Sequence, residues 1–225
     1  MASNWLVCFD LDGVIANSRD GIEFCINLAL VEHGADPLPP GAVDKYIGPP
    51  LVQGFREMLT DAGLDRSHAS DCVATYRRHY AEEALARTTA YPGIRDGTSA
   101  LADVCQLAVV TSKLELFAKP ILASLGVDQF FDGLFCPPPD SDDEAKAVTL
   151  ARAIARMDAT PGRVVMVGDR LHDVVAALEN GALPVGVLWG FGTRDELETA
   201  GARLIVETPT GLITAIRQLV AQDGG

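Results

Sequence analysis

Short apolar runs alternate with amphipathic helical patterns along most of the chain, and this alternation restricts the fold more than any other feature. Near-continuous apolar runs predict strands that are buried on both faces, and they cover residues 5–9, 107–110, 134–136, 164–167, 184–188 and 204–206. Helical periodicity lies between them, at residues 117–125, 145–157, 174–180 and 211–221. Such alternation is typical of βα units around a parallel sheet. We therefore predict an α/β chain with a Rossmann-like, three-layer parallel-sheet core.

One long segment interrupts this alternation. Between residues 17 and 91 we find no convincing strand, only helical patterns at residues 22–31, 51–62 and 68–86, separated by turn signals rich in Pro and Gly. The simplest interpretation is a helical cap domain, residues 17–90, inserted after the first strand of a core domain formed by residues 1–16 and 91–225. Ligands bind beyond the carboxyl ends of parallel strands, so the cap would lie over the binding edge.

The charge of the chain argues against two classes of partner. The 225 residues include 18 Lys and Arg against 31 Asp and Glu, a net charge of −13. Because such a surface repels phosphate backbones and anionic headgroups, we expect no nucleic-acid partner and no membrane partner. We see no signal peptide or spanning helix, and the five cysteines lack the spacing of a zinc site or a disulfide framework. These features favour a cytoplasmic location and leave the oligomeric state open.

Polar side chains follow three of the predicted strands. They occur in the stretches FDLDG at residues 9–13, VTSK at residues 110–113 and VGDRLHD at residues 167–173. Each stretch alone would be an ordinary helix cap or turn. Together at one edge of a sheet they form a candidate site, which comprises Asp10, Asp12, Thr111, Ser112, Asp169 and Asp173.

Four crowded carboxylates would repel one another unless a cation lies between them. An oxygen-only ligand set suits Mg²⁺, and such a site can bind a phosphate monoester despite the acidity of the chain. One ionised Asp could attack phosphorus, while its neighbour protonates the leaving oxygen and then activates water. Hydroxyl groups and a lysine could hold the phosphoryl oxygens. The residues themselves therefore suggest phosphoryl chemistry.

On the stretches FDLDGVI (9–15), VVTSK (109–113) and VGDRLHD (167–173), the chain resembles the haloacid dehalogenase superfamily. The resemblance is to its phosphoglycolate-phosphatase-like branch, which carries a helical cap. It implies a Mg²⁺-dependent phosphatase with Asp10 as nucleophile and metal ligand. It also implies that Asp12 is the general acid/base and offers its backbone carbonyl to the metal. Asp169 would bind the metal directly, Asp173 would act at its outer shell, and Thr111 would hydrogen-bond the phosphoryl group.

The chain departs from this branch at two places. The branch usually supplies a phosphate-binding lysine from a Gly-Lys-Pro stretch, but residues 136–140 here read CPPPD. The next candidate is Lys146, and Lys113 is the second. Val14 stands where most such phosphatases have Thr and where sugar-phosphomutase relatives have Val. A phosphomutase of the β-phosphoglucomutase type is therefore an alternative, as is a non-catalytic binding protein on the same fold.

The substrate is predicted only as a small phosphorylated metabolite, because phosphoglycolate, a nucleotide and a sugar phosphate all fit the motifs. Residues 46–51 resemble the specificity loop of the branch's caps, and we expect Arg56 in the nearby helix to reach an anionic substrate tail. His172 is interpreted as a helix-start residue beside the site. Residues 140–144 form the densest patch of surface acids.

Overall fold

The computed structural model describes residues 4–48, 51–139 and 144–222. The strands in these ranges are β1 (Leu6–Phe9), β2 (Ala16–Asn17), β3 (Thr89–Ala90), β4 (Gln106–Val110), β5 (Gly133–Phe135), β6 (Val164–Gly168), β7 (Leu183–Val187) and β8 (Leu204–Val206). The α-helices are α1 (Arg19–Glu32), α2 (Leu51–Asp61), α3 (Ala69–Glu83), α4 (Ile94–Ala102), α5 (Glu115–Ser124), α6 (Lys146–Arg156), α7 (Leu171–Glu179), α8 (Arg194–Ala200) and α9 (Pro209–Gln222).

Six strands form one parallel sheet in the order β5-β4-β1-β6-β7-β8. Side chains of β1 alternate between its two faces, as the two-residue period of a strand requires. Leu6 and Cys8 pack with helices α6 and α7 on one face. Val7 and Phe9 belong to a second cluster with α4 and α9 on the other. The predicted three-layer α/β core is confirmed.

The three helices α1, α2 and α3 form the cap and pack against one another through α3. Their buried side chains, such as Ile26, Phe55 and Tyr76, are continuous with the apolar cluster on one face of the sheet. The cap therefore rests on the core through packed apolar side chains.

The prediction that residues 17–91 contain no strand is wrong in detail. Strands β2 and β3 pair antiparallel where the chain enters and leaves the cap, with Ala16 opposite Ala90. Each has two residues, too few for a period-2 pattern to show in the sequence. This pair lies beside the expected boundaries at residues 16/17 and 90/91, and the division into two domains stays a prediction.

Other differences are small. Strand β5 lies one residue earlier than residues 134–136, and helices α4 and α8 had no counterpart in the sequence analysis. Helix α8 buries one residue, Leu197, so it has little apolar periodicity to detect. No helix of the described ranges is long and apolar enough to cross a membrane. Most of the acidic patch, residues 140–143, lies outside the described residues.

Candidate active site

The register of the three central strands brings the predicted site residues together. Phe9 of β1 pairs with Val109 of β4 and with Val167 of β6. The residues that follow these strands therefore emerge side by side at the carboxyl edge of the sheet. There they line a cavity of about 350 Å³ beneath the cap. The predicted site residues in its lining are Asp10, Asp12, Thr111, Ser112, Lys146 and Asp169.

Three buried carboxylates cluster at this edge of the sheet: Asp10 and Asp169 line the cavity, and Asp173 lies beside them. One oxygen each of Asp10, Asp169 and Asp173 lies within 4.8 Å of the others. Asp169 Oδ2 accepts a hydrogen bond of 2.7 Å from the backbone N–H of Phe191, but its Oδ1 is buried without a hydrogen-bond partner. A buried oxygen without a donor is costly, and a hard cation would satisfy it. The oxygen-only cluster therefore fits Mg²⁺.

Burial and mutual repulsion raise the pKa values of two of these acids, Asp10 and Asp169. Burial raises the pKa of Asp10 from 3.8 to about 6; Lys146 opposes this shift, and the negative charge of Asp173 adds to it. Burial, followed by repulsion from Asp173 and Asp10, holds the pKa of Asp169 well above its usual range. Positive charge at the cluster therefore favours the ionised forms of Asp10 and Asp169.

Lys146 supplies part of that charge. It opens helix α6, and its Nζ lies 2.8 Å from Asp10 Oδ2 and 2.6 Å from Asp173 Oδ1. Burial alone would lower the pKa of this lysine, but attraction to Asp10 and Asp173 outweighs burial and raises it. Lys146 is therefore charged and fixed beside the carboxylate predicted to be the nucleophile.

Lys113, the second candidate lysine, occupies a different place in the same cavity. Its Nζ lies 3.0 Å from Asp12 Oδ2 and donates a hydrogen bond of 2.7 Å to the hydroxyl of Tyr80 in the cap. The other oxygen of Asp12 accepts a bond of 2.6 Å from the Ser18 hydroxyl. Asp12 is thus held from both sides, and the sequence analysis assigned no role to Ser18 or Tyr80.

The two hydroxyl residues after β4 differ in exposure. Thr111 is 2 % exposed, and its Oγ1 accepts a hydrogen bond of 3.2 Å from the backbone N–H of Lys113. Ser112 is exposed, and both residues line the cavity. The structure therefore brings both predicted hydroxyls to the site.

A glycine-rich loop that the sequence analysis missed surrounds Asp169. Residues 189–192 follow β7, and a Cβ at Gly190 would lie 2.3 Å from Asp169 Oδ2. Gly13 approaches the same oxygen from the other side, where a Cβ would lie 2.2 Å away, and its φ of +81° also favours glycine. The signal was available, because the stretch GFG follows a predicted strand at the same edge.

Arg56 is not brought to this cavity. It lies on the exposed face of α2, next to the buried Phe55, and adjoins a separate surface depression with Arg66 and Ser67. Successive helix residues point about 100° apart, so the buried Phe55 turns Arg56 outward. Its position gives no support to the expected contact with a substrate tail.

The cap segment predicted as a specificity loop does reach the cavity, through Tyr46, Ile47, Gly48 and Leu51. Pro49 and Pro50 lie outside the described residues. His172 lines the cavity as the second residue of α7, in keeping with its interpretation as a helix-start residue. Burial, with the nearby Lys146, lowers the pKa of His172.

A parallel α/β core, a helical cap and clustered acids at the carboxyl edge define the class of capped phosphoryl-handling hydrolases. The family model described as haloacid dehalogenase-like hydrolase matches residues 7–187. The chain belongs to this family, and it is a phosphatase, as the sequence resemblance predicts.

The chain is similar to several curated proteins and solved structures. It is 36% identical to tyrosine-protein kinase PtkA of Mycobacterium tuberculosis, over 91% of this chain and 69% of that protein. It is 31% identical to a 5'-nucleotidase of Pseudomonas aeruginosa, over 85% of this chain and 86% of the relative. A predicted phosphatase from Clostridium acetobutylicum superposes with a TM-score of 0.88 at 29% identity, covering 97% of this chain and all of that one. Other relatives are named phosphoglycolate phosphatase.

These similarities do not favour the phosphomutase or the non-catalytic binding protein, since none of these relatives is named as either. Of the four predicted carboxylates, Asp10, Asp169 and Asp173 are clustered, and Asp12 lines the same cavity as Asp10 and Asp169.

Proposed function

We propose that this phosphatase is Mg²⁺-dependent and hydrolyses a small phosphate monoester through an aspartyl-phosphate on Asp10. The observation that carries the proposal is the cluster of Asp10, Asp169 and Asp173 with its unpartnered Asp169 oxygen. Most buried polar atoms in folded proteins have a hydrogen-bond partner, so an unpartnered carboxylate oxygen within a cluster of three acids favours a cation there.

Asp10 is held in position for nucleophilic attack. Its Oδ1 accepts a hydrogen bond of 2.7 Å from the N–H of Leu11, and its Oδ2 lies against Lys146. In the first step an Asp10 oxygen bonds to phosphorus while the bond from phosphorus to the ester oxygen breaks. Asp12 donates its proton to that leaving oxygen, so the alcohol departs neutral.

Asp12 then acts in the opposite direction. It takes a proton from a water molecule, whose oxygen attacks phosphorus and releases inorganic phosphate and free Asp10. Ser18 and Lys113 hold the Asp12 carboxylate in place at the cavity lining. We assign Thr111, Ser112 and Lys146 to the phosphoryl oxygens, where donors stabilise charge as it shifts during transfer.

The metal would be held by the side chains of Asp10 and Asp169 and by the backbone carbonyl of Asp12, with Asp173 beside them. When bound, Mg²⁺ neutralises the crowded carboxylates and polarises the phosphoryl group. Lys146 bridges Asp10 and Asp173 and keeps them apart from bulk water, since its side chain is 7% exposed.

The test is phosphate release from 4-nitrophenyl phosphate with Mg²⁺ and with excess chelator. We expect release only with Mg²⁺, and we expect Asp10→Asn to reduce it to background. The matched control is Asp103→Asn, an exposed acid outside the cavity lining, which should behave as wild type. Full release in chelator, or by Asp10→Asn, would refute the proposal.

A second candidate function rests on the 36% identity to a protein named as a tyrosine-protein kinase. Phosphoryl transfer to a tyrosine hydroxyl instead of water would use the same residues. Incubation with γ-labelled ATP and a tyrosine-containing copolymer separates the two functions: label on the polymer supports the kinase, and an unlabelled polymer from protein that hydrolyses 4-nitrophenyl phosphate supports the phosphatase.

A further inference from the structure

The cavity beneath the cap has two chemically different halves. Its floor is polar and comes from the core. Its walls are largely apolar or aromatic. The cap contributes Ile22, Ile26, Leu51, Tyr76 and Tyr80, among others, and the chain after β4 contributes Phe117. A bound phosphoryl group would contact the polar floor, so the walls must contact another part of the substrate.

The cations near the floor each form an ion pair with an acidic residue of this chain. Lys146 pairs with Asp10 and Asp173, and Lys113 pairs with Asp12. Arg170 also lines the cavity, but its Nε lies 2.9 Å from Glu196 and its Nη1 donates to the carbonyl of Asp44. Each of these three cations therefore already has a partner within this chain, and Lys146 is the one assigned to the phosphoryl group.

The cap offers little further charge to the cavity. Among the described cap residues that line it, the one charged side chain is the half-buried Arg77. A carboxylate tail on the substrate would lose its hydration against the surrounding apolar walls, at a cost that the single cap cation Arg77 would have to offset. An uncharged apolar group would instead gain from the same burial.

The aromatic part of the wall is built as a packed unit. The ring of Tyr80 stacks on Tyr76 with centroids 5.2 Å apart and meets Phe117 of the core edge-on at 5.3 Å. Since Tyr76 and Tyr80 belong to α3 and Phe117 to α5, this stack joins the cap to the core. The wall is therefore preformed, as binding sites for apolar groups usually are.

We infer that the preferred substrates are phosphate monoesters whose alcohol carries a compact, uncharged apolar or aromatic group, and that the cap walls bind this group. This substrate class rests on the phosphatase function proposed above. It sets the chain apart from a phosphatase for phosphoglycolate, whose leaving group carries a carboxylate.

The test compares three substrates whose leaving groups are all alkyl alcohols: 2-phenylethyl phosphate, ethyl phosphate and 2-phosphoglycolate. We expect kcat/KM for 2-phenylethyl phosphate to exceed the other two by at least about 10-fold, the factor typical of filling an apolar pocket. Equal values, or a preference for 2-phosphoglycolate, would overturn the inference.

Variants of the wall give a second readout. Leu51→Ala should lower kcat/KM for 2-phenylethyl phosphate by a larger factor than for ethyl phosphate. Leu51→Arg should shift the preference toward 2-phosphoglycolate. The matched control is Leu85→Ala, a cap residue that is 48% exposed and lies outside the lining, which should leave the preference unchanged. A shift in Leu85→Ala as large as that in Leu51→Ala would contradict the assignment of the wall.

The outcomes separate this inference from the proposed function. If no ester releases phosphate in a Mg²⁺-dependent reaction, the proposed function fails. If esters are hydrolysed with Mg²⁺ but 2-phosphoglycolate or ethyl phosphate is preferred, the function stands and the substrate class is wrong.

Discussion

The core and the cap contribute opposite chemistry to one cavity. The core presents Asp10, Asp12, Thr111 and Lys146 from the ends of parallel strands and the start of a helix, whereas the cap presents mostly apolar and aromatic side chains. Among the described residues that line the cavity, the buried ion pairs lie on the core side. The difference supports a division of roles in which core residues carry out the proposed phosphoryl transfer, Ser18 and Tyr80 of the cap position Asp12 and Lys113, and the cap walls select the alcohol.

The largest effect should come from removing charge on the core side. Lys146→Met leaves Asp10 and Asp173 without their shared cation, so we expect kcat to fall by about 1000-fold, the upper loss for removing one key donor to a transition state. Steady-state kinetics of the variant and the wild type measure this change in kcat. Lys119→Met, an exposed lysine of α5, is the matched control. A loss below tenfold would mean that Lys146 does not act on the phosphoryl group.

The next prediction concerns the charge on Asp10 in metal-free protein. Its pKa is about 6 in the folded protein and 3.8 ordinarily, so the folded state binds more protons between these values. The contribution of Asp10 to stability therefore falls as pH rises from about 4 to 6 and stays low above that range. The Asp10→Asn variant has no ionisable group at this position, so it does not lose this stability as the pH rises.

In chelator, the Tm of Asp10→Asn minus that of wild type should therefore increase by several degrees between pH 4 and pH 7. Thermal unfolding of both proteins across this range measures the difference, with Asp103→Asn as the control. A difference that is flat or decreases with pH would show that Asp10 is not destabilised by burial.

A smaller effect is expected at the contact that joins the two sides. Tyr80→Phe removes the hydroxyl that accepts from Lys113 but keeps the ring stacked on Tyr76. Losing one hydrogen bond to a charged group should lower kcat by about tenfold. Tyr76→Phe, in the same stack, is the control. If both variants lose the same factor, the hydroxyl of Tyr80 has no particular role in holding Lys113.

The smallest effect should follow a change on the outer face of the cap. Arg56 lies outside the cavity lining, so Arg56→Ala should change kcat/KM less than twofold for any of the three alkyl phosphates, as is usual for exposed positions. Arg77→Met, a change inside the cavity, provides the comparison. A substantial loss in Arg56→Ala with 2-phosphoglycolate alone would restore the expectation made from the sequence.

The polar floor of the cavity was largely predictable, because parallel strands deliver their final residues to one edge. Asp10, Thr111 and Asp169 follow directly from that rule. The sequence left Lys113 and Lys146 as alternatives, since it does not show which carboxylate each lysine meets. In the structure both reach the cavity, Lys113 at Asp12 and Lys146 at Asp10.

The cap side was much less predictable. Whether a helical residue faces the cavity depends on the rotation of its helix against the core, which local periodicity does not fix. Arg56 and Leu51 belong to the same helix, yet only Leu51 lines the cavity. The short strands β2 and β3 were not predicted for a different reason. They are defined by the pairing of Ala16 with the distant Ala90 and not by any local sequence pattern.

The central claim is that Asp10 carries the phosphoryl group during turnover. The direct measurement uses Asp12→Asn with 4-nitrophenyl phosphate and Mg²⁺, because this leaving group departs without an acid while the second step still needs a base. After an acid quench, peptide mass spectrometry should find phosphate on the peptide that contains Asp10. The same peptide should be unmodified in chelator and in the Asp10→Asn, Asp12→Asn double variant. Phosphate released from the ester with Asp10 never modified, or a phosphoryl group on another residue, would contradict the account.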